Sequence, residues 1–76
     1  MQEGSALLKV RKLLGVTREE LLRRCDDISI GTIRNAEKGY CLRKRSALQI
    51  LSALNSFLRE MRKPELTLEE LKLKIS

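Results

Sequence analysis

The chain has no histidine and no tryptophan, and its 76 residues include one phenylalanine, one tyrosine, one proline and two cysteines. Each shortage removes a class of chemistry. Without histidine the commonest general base and metal ligand is missing, and Cys25 and Cys41 alone fall short of the roughly four N or S donors a zinc site needs. No glycine-rich loop suited to phosphate follows a strand pattern, and no carboxylate pair falls in an evident pocket. Nothing is cast as base or nucleophile, so the expectation is a chain that is not an enzyme and takes no metal, cofactor or small-molecule ligand. No stretch approaches the roughly 20 apolar residues of a membrane span. A membrane-surface helix is also disfavoured, because basic residues alternate with acidic ones and large aromatic anchors are absent. A disulfide between the cysteines is open on count alone, but the N-terminus lacks a signal-peptide core, and the expectation is a cytoplasmic chain with reduced thiols.

What remains is a helical palette. Apolar residues make up 42% of the chain, almost all Leu, Ile, Val and Ala, and strand-favouring aromatics are scarce. A chain of this length supports one core, so residues 1–76 are read as a single domain. Sixteen Lys and Arg stand against ten Asp and Glu, and +5 of the net +6 lies in residues 1–58. A basic body suits a polyanion, although charge also keeps small domains dispersed.

Leu7, Val10 and Leu14 recur at helical spacing in residues 5–14, and Gly15 supplies a stop. Thr17 and Glu20 form a capping box, which opens a second helix at Arg18 that buries Leu21, Leu22 and Cys25 and ends at Asp26 and Asp27. Ser29 caps a third helix with Ile33 and Ala36 inward, closed by Gly39. Residues 40–45 form a loop ending in three cations. Ser46 is then expected to cap a fourth helix, lined by Leu48, Leu51, Leu54 and Leu58, that runs past Asn55 to about Arg62 before Pro64. Thr67 and Glu70 repeat the capping box for a fifth helix carrying Leu71 and Ile75.

Two short helices joined by a tight turn suit a DNA major groove, about 12 Å wide, which admits one helix while the other crosses the backbone. The run from Leu7 to Leu54 resembles the Cro/C1-type (XRE family) helix-turn-helix. The resemblance rests on seven features in order: Arg11, Gly15, Val16-Thr17, Glu19-Glu20-Leu21, Ser29, Ile33 and Glu37-Lys38-Gly39. It implies an all-α, compact five-helix, lambda-repressor-like domain with the helix-turn-helix in helices 2 and 3, a core over 5–55 and an extension over 56–76. It further implies double-stranded DNA as partner, with base-reading positions at Ile30, Gly31, Thr32, Arg34 and Asn35. Phosphate and backbone contacts then fall on Thr17, Arg18, Ser29, Lys38, Arg43, Lys44 and Arg45, and Arg11 with Glu37 forms an ion pair linking helix 1 to helix 3. The alternative reading of that last pair is two surface charges, and the ion pair is the one expected.

The chain departs from the family pattern in three places. Asp26-Asp27-Ile28 lengthens the turn by one residue, and the two carboxylates are expected to point away from a duplex. Leu22 stands where the family has a small residue, which is expected to widen the spacing between the helices unless Gly31 makes room. Ile30 either touches a thymine methyl or joins the core. The apolar residues of the extension either close the core or pair two chains into a dimer. The leading expectation is a small transcriptional regulator. The alternative is a protein-interaction or antitoxin-like module using the apolar extension.

Overall fold

The computed structural model describes residues 6–75, in which five helices run in the order α1 (Ala6–Leu14), α2 (Arg18–Arg23), α3 (Ile30–Lys38), α4 (Lys44–Glu60) and α5 (Leu68–Leu71). Ser5, the expected first residue of helix 1, lies outside the described residues. Leu7, Leu21, Ile33, Ile50, Leu54 and Leu71 are fully buried, so every helix contributes to one core. Helices of four to nine residues are marginal alone, and it is this shared burial that holds α1, α2, α3 and α5.

Three helices end by the same device. After α1, Val16 N–H donates to Arg11 O (3.2 Å) and Gly15 N–H to Lys12 O (3.1 Å), with Gly15 left-handed at φ 69°. After α3, Tyr40 donates to Asn35 O (2.9 Å) and Gly39 to Ala36 O (3.2 Å), with Gly39 at φ 88°. These paired bonds satisfy carbonyls that a helix end otherwise leaves open. After α4 the pattern recurs, with Lys63 N–H on Leu58 O (2.8 Å) and Arg62 N–H on Arg59 O (3.0 Å), but the left-handed residue is Arg62 at φ 59°. Pro64 follows two residues later and cannot continue a helix.

Helix α4 departs from the sequence expectation at its start and on its face. It begins at Lys44, its N-cap is Arg43 with no side-chain cap bond, and Ser46 sits inside the first turn. The start is set by burial on either side: Leu42 enters the core, its N–H donating to Lys74 O (2.8 Å), and Ala47, fully buried, makes the first helical bond to Arg43 O (3.0 Å). The buried stripe is Ala47, Ile50, Leu54 and Leu58, and Leu48 is 45% exposed. Leu51 is half-buried against the core beside the buried Leu54 and Leu58, and because a leucine every third residue drifts about 60° per step at 100° per residue, Leu48 alone of the four turns out to solvent.

The extension closes the core. Leu71 is fully buried, and Phe57, Leu66, Leu68 and Leu73 pack against the core, leaving Met61 and Ile75 as its exposed large apolar side chains. Asn55 holds the segment after α4: its Oδ1 accepts from Leu66 N–H (2.7 Å) and its Nδ2 donates to Leu66 O (3.1 Å). The Thr67 and Glu70 capping box opens α5, and a parallel bridge between Leu42 and Ile75 ties the chain end to the loop before α4. Arg24, at the end of α2, stacks 3.7 Å above the Phe57 ring and donates to Glu60 (2.8 and 3.1 Å) and Ser56 (2.9 Å), binding α2 to α4. No helix of the described residues is long and apolar enough to cross a membrane.

Arg62 carries the cost of a left-handed backbone, roughly 1–2 kcal/mol for a residue with a Cβ. Glycine removes that cost but adds freedom to the unfolded chain. Arg62→Gly is therefore expected to raise stability by about 0.5–1 kcal/mol, a midpoint rise of roughly 2–8 °C in a thermal melt followed by circular dichroism.

Candidate nucleic-acid interface

Helices α2 and α3 are each started by a side chain rather than by chance. Thr17 Oγ1 accepts from Glu20 N–H (3.0 Å), and Glu20 Oε1 accepts from Thr17 N–H (2.8 Å). The amide and then the hydroxyl of Thr17 hold the Glu20 carboxyl below its usual range. Ser29 Oγ accepts from Thr32 N–H (3.3 Å) and lies 3.3 Å from the Thr32 hydroxyl. The six residues between the two helices, 24–29 in the chain, are tied down by Gln49 of α4, whose Oε1 accepts from the amides of both Asp26 and Asp27 (3.0 Å each).

The carboxylate of Glu37, in the last turn of α3, is the one charged group among the buried described residues. Oε2 accepts from Arg11 Nε of α1 at 2.6 Å, and Oε1 accepts from Arg18 Nε of α2 at 2.9 Å. Arg11 Nη1 also donates to Val16 O (3.0 Å), which fixes its guanidinium at the end of α1. Arg18 differs from the phosphate role expected for it, because its guanidinium is turned toward Glu37 with Nη2 also 2.9 Å from Oε1. It remains partly exposed, at 39% of its side chain, against 13% for Arg11. The position of Arg18 next to a cap gives no sign of this partner, since the contact spans nineteen residues.

With Ile33, Ala36 and Glu37 inward, the outward side of α3 is Gly31, Arg34, Asn35 and Lys38, all exposed. Their spacing is that of one helical face. Lys38, expected beside the backbone, thus shares its stripe with Arg34. Ile30 is half-buried on the inner side with Ile33, and Thr32 is half-buried against Ser29. Gly31 makes no room for Leu22: a Cβ there would meet only Ser29 Oγ at 3.6 Å, and the residue is exposed. Leu22 is accommodated instead by lying half-buried at the core margin.

Beside this stripe, a hollow of about 420 Å³ separates Ser29, Thr32 and Asn35 from Arg43 and Ser46, with Asp27 on its edge. Arg43, Lys44 and Arg45 are exposed at the start of α4. The Asp27 carboxylate lies 3.7 Å from Arg45 Nη2 in the first turn of α4, with both side chains largely exposed. Gln49 holds the Asp27 backbone beside α4, a tie that no local pattern in the turn signals.

Both thiols are free. Burial, with the Asp26 carboxylate adding to it, pushes the Cys25 thiol up, and Cys25 Sγ points to the carbonyls of Leu21 (3.5 Å) and Gln49 (3.8 Å). Cys41 is exposed. Among the described residues no three Cys, Asp or Glu side chains converge as a metal site would require.

Two measurements follow from this geometry. Glu37→Ala strands two guanidinium groups, one nearly buried, and is expected to cost about 3–5 kcal/mol in urea unfolding, whereas Arg18→Ala, which removes the more exposed partner, costs about 1 kcal/mol or less. A thiol-alkylation time course on the folded protein is expected to modify Cys41 first, with Cys25 reacting at a comparable rate only in denaturant. No family model, no curated protein and no solved structure matches the chain.

Proposed function

We propose that this chain is a lambda-repressor-like, double-stranded DNA-binding protein, a small cytoplasmic transcriptional regulator that places α3 in the major groove. The observation that carries the reading is the outward face of α3, where Gly31, Arg34, Asn35 and Lys38 project together from a helix pinned behind by Ile33, Ala36 and Glu37. A guanidinium matches guanine O6 and N7, and a carboxamide matches adenine N6 and N7. Arg34 and Asn35 are therefore the base readers, with Gly31 allowing close approach of the backbone. Lys38, Arg43, Lys44 and Arg45 neutralise phosphates, and the hydroxyls of Thr17 and Ser29 add contacts at the starts of α2 and α3. Ile30 and Thr32 seat the helix rather than read bases. Arg18 contributes through the helix it braces. If two copies bind paired half-sites through residues 56–76, the contact rests on Met61 and Ile75, because the other large apolar side chains of the extension face inward.

Fluorescence anisotropy on duplexes tests the proposal. Four cations at phosphates give a slope of log K against log salt of roughly −3 to −4, and retention indifferent to salt sinks it. Selection from a random duplex pool is expected to return an enriched site, with Arg34→Ala and Asn35→Ala each flattening it by about 1–3 kcal/mol of discrimination. Asp27→Asn removes a negative charge beside Arg45 and is expected to tighten binding to all sequences alike.

A further inference from the structure

Among the described residues the most exposed large apolar side chain is Leu13, at 83%. Arg11 points at Glu37 of α3, and Leu13, two residues on, is turned about 200° around the α1 axis. Leu13 edges a second hollow, of about 200 Å³, whose walls are Val10, Leu14, Leu58 and Leu66. Its lining is apolar except for Lys63, and it has room for an aliphatic side chain.

Charge decides what fits there. Lys63 lines the hollow, Arg62 precedes it, Lys9 lies one helical turn before Leu13, and Lys12 adjoins it. All four are exposed, and none is ion-paired among the described residues. The nearby carboxylate of Glu65 is engaged by Arg59 at 3.5 Å. A second copy of the chain is a poor occupant, since two-fold pairing sets these cations against themselves. The geometry points to a docking site for an acidic amphipathic helix of a second protein, its leucine-like side chains entering the hollow beside Leu13 and its carboxylates meeting Lys9, Lys12, Arg62 and Lys63. Lys44 and the Leu58 and Lys63 side of the hollow lie toward opposite ends of α4, whose 17 residues make about 25 Å of helix.

The probe is a fluorescein-labelled helical peptide with leucines at i, i+3, i+4 and i+7 and glutamates between, compared with its lysine-for-glutamate counterpart. The glutamate peptide is expected to bind saturably, with Kd on the order of micromolar, and to shift the methyl resonances of Val10, Leu14, Leu58 and Leu66. Leu13→Gln and Lys63→Glu, both at exposed positions and checked as folded by thermal melts, each weaken it roughly tenfold, while Asn35→Ala leaves it unchanged. No binding, equal binding of the lysine peptide, or full binding by both exposed-site variants overturns the inference. So does sedimentation showing that the wild-type chain self-associates and that Leu13→Gln abolishes this, which assigns the hollow to a second copy.

Discussion

The Glu37 carboxylate sits where three helices meet, and the arrangement of the domain depends on it. Arg11 reaches it from the end of α1 and Arg18 from the start of α2, so one buried anion fixes both helices relative to the last turn of α3. Replacing such a group by apolar side chains often leaves stability unchanged, because desolvation offsets attraction. What it supplies is geometry. An apolar contact tolerates rotation of α3 about its axis, whereas two directed bonds to one carboxylate at 2.6 and 2.9 Å do not. The rotation of α3 decides which residues face outward, so the buried ion pairs on one side set the chemical identity of the other.

The helix ends complete that constraint. Short helices contribute little free energy of their own, and their lengths are set by what starts and stops them. Thr17, Ser29 and Thr67 start three of them with side-chain acceptors, and the same two-bond closure stops α1, α3 and α4. At α1 the closure and the ion pair share a residue. Val16 N–H donates to the Arg11 carbonyl, and the Arg11 guanidinium donates back to the Val16 carbonyl. Gly15 is therefore needed twice, to end α1 and to present Arg11 toward α3.

Features written locally were legible in the sequence. Both capping boxes, the Ser29 cap, the stops at Gly15 and Gly39 and the inward Ile33 and Ala36 depend on neighbours within one turn. The start of α4 was misplaced because a serine resembles a cap wherever it stands, while the actual boundary answers to Leu42 and Lys74, more than thirty residues apart. On the face of α4, Leu51, Leu54 and Leu58 meet the core as their spacing implies, whereas Leu48 is exposed and Ala47 and Ala53, which a count of leucines passes over, are buried. At the candidate interface, Arg34 and Asn35 lie on the exposed stripe, where periodicity alone would put them. The engagement of Arg18 by Glu37 and the turn of Asp27 toward Arg45 come from contacts distant in sequence, which no window of residues contains.

Net charge is for the same reason a blunt guide to where this molecule meets others. Arg11, Arg18 and Arg24 are held by carboxylates at 2.9 Å or less within the fold and act as internal ties. Most of the exposed basic residues fall in two groups. Arg34, Lys38, Arg43, Lys44 and Arg45 gather around the outward face of α3, and Lys9, Lys12, Arg62 and Lys63 gather around an apolar hollow. Arg43, Lys44 and Arg45 stand at the start of α4 and Arg62 and Lys63 just past its end, about 25 Å of helix away, several times the Debye length of about 8 Å at physiological salt. The cluster among polar readers suits an anion with hydrogen-bonding edges, and the one around leucines suits an anion with an apolar face. Two surfaces of one sign thus differ in what they admit because of the uncharged residues between the cations.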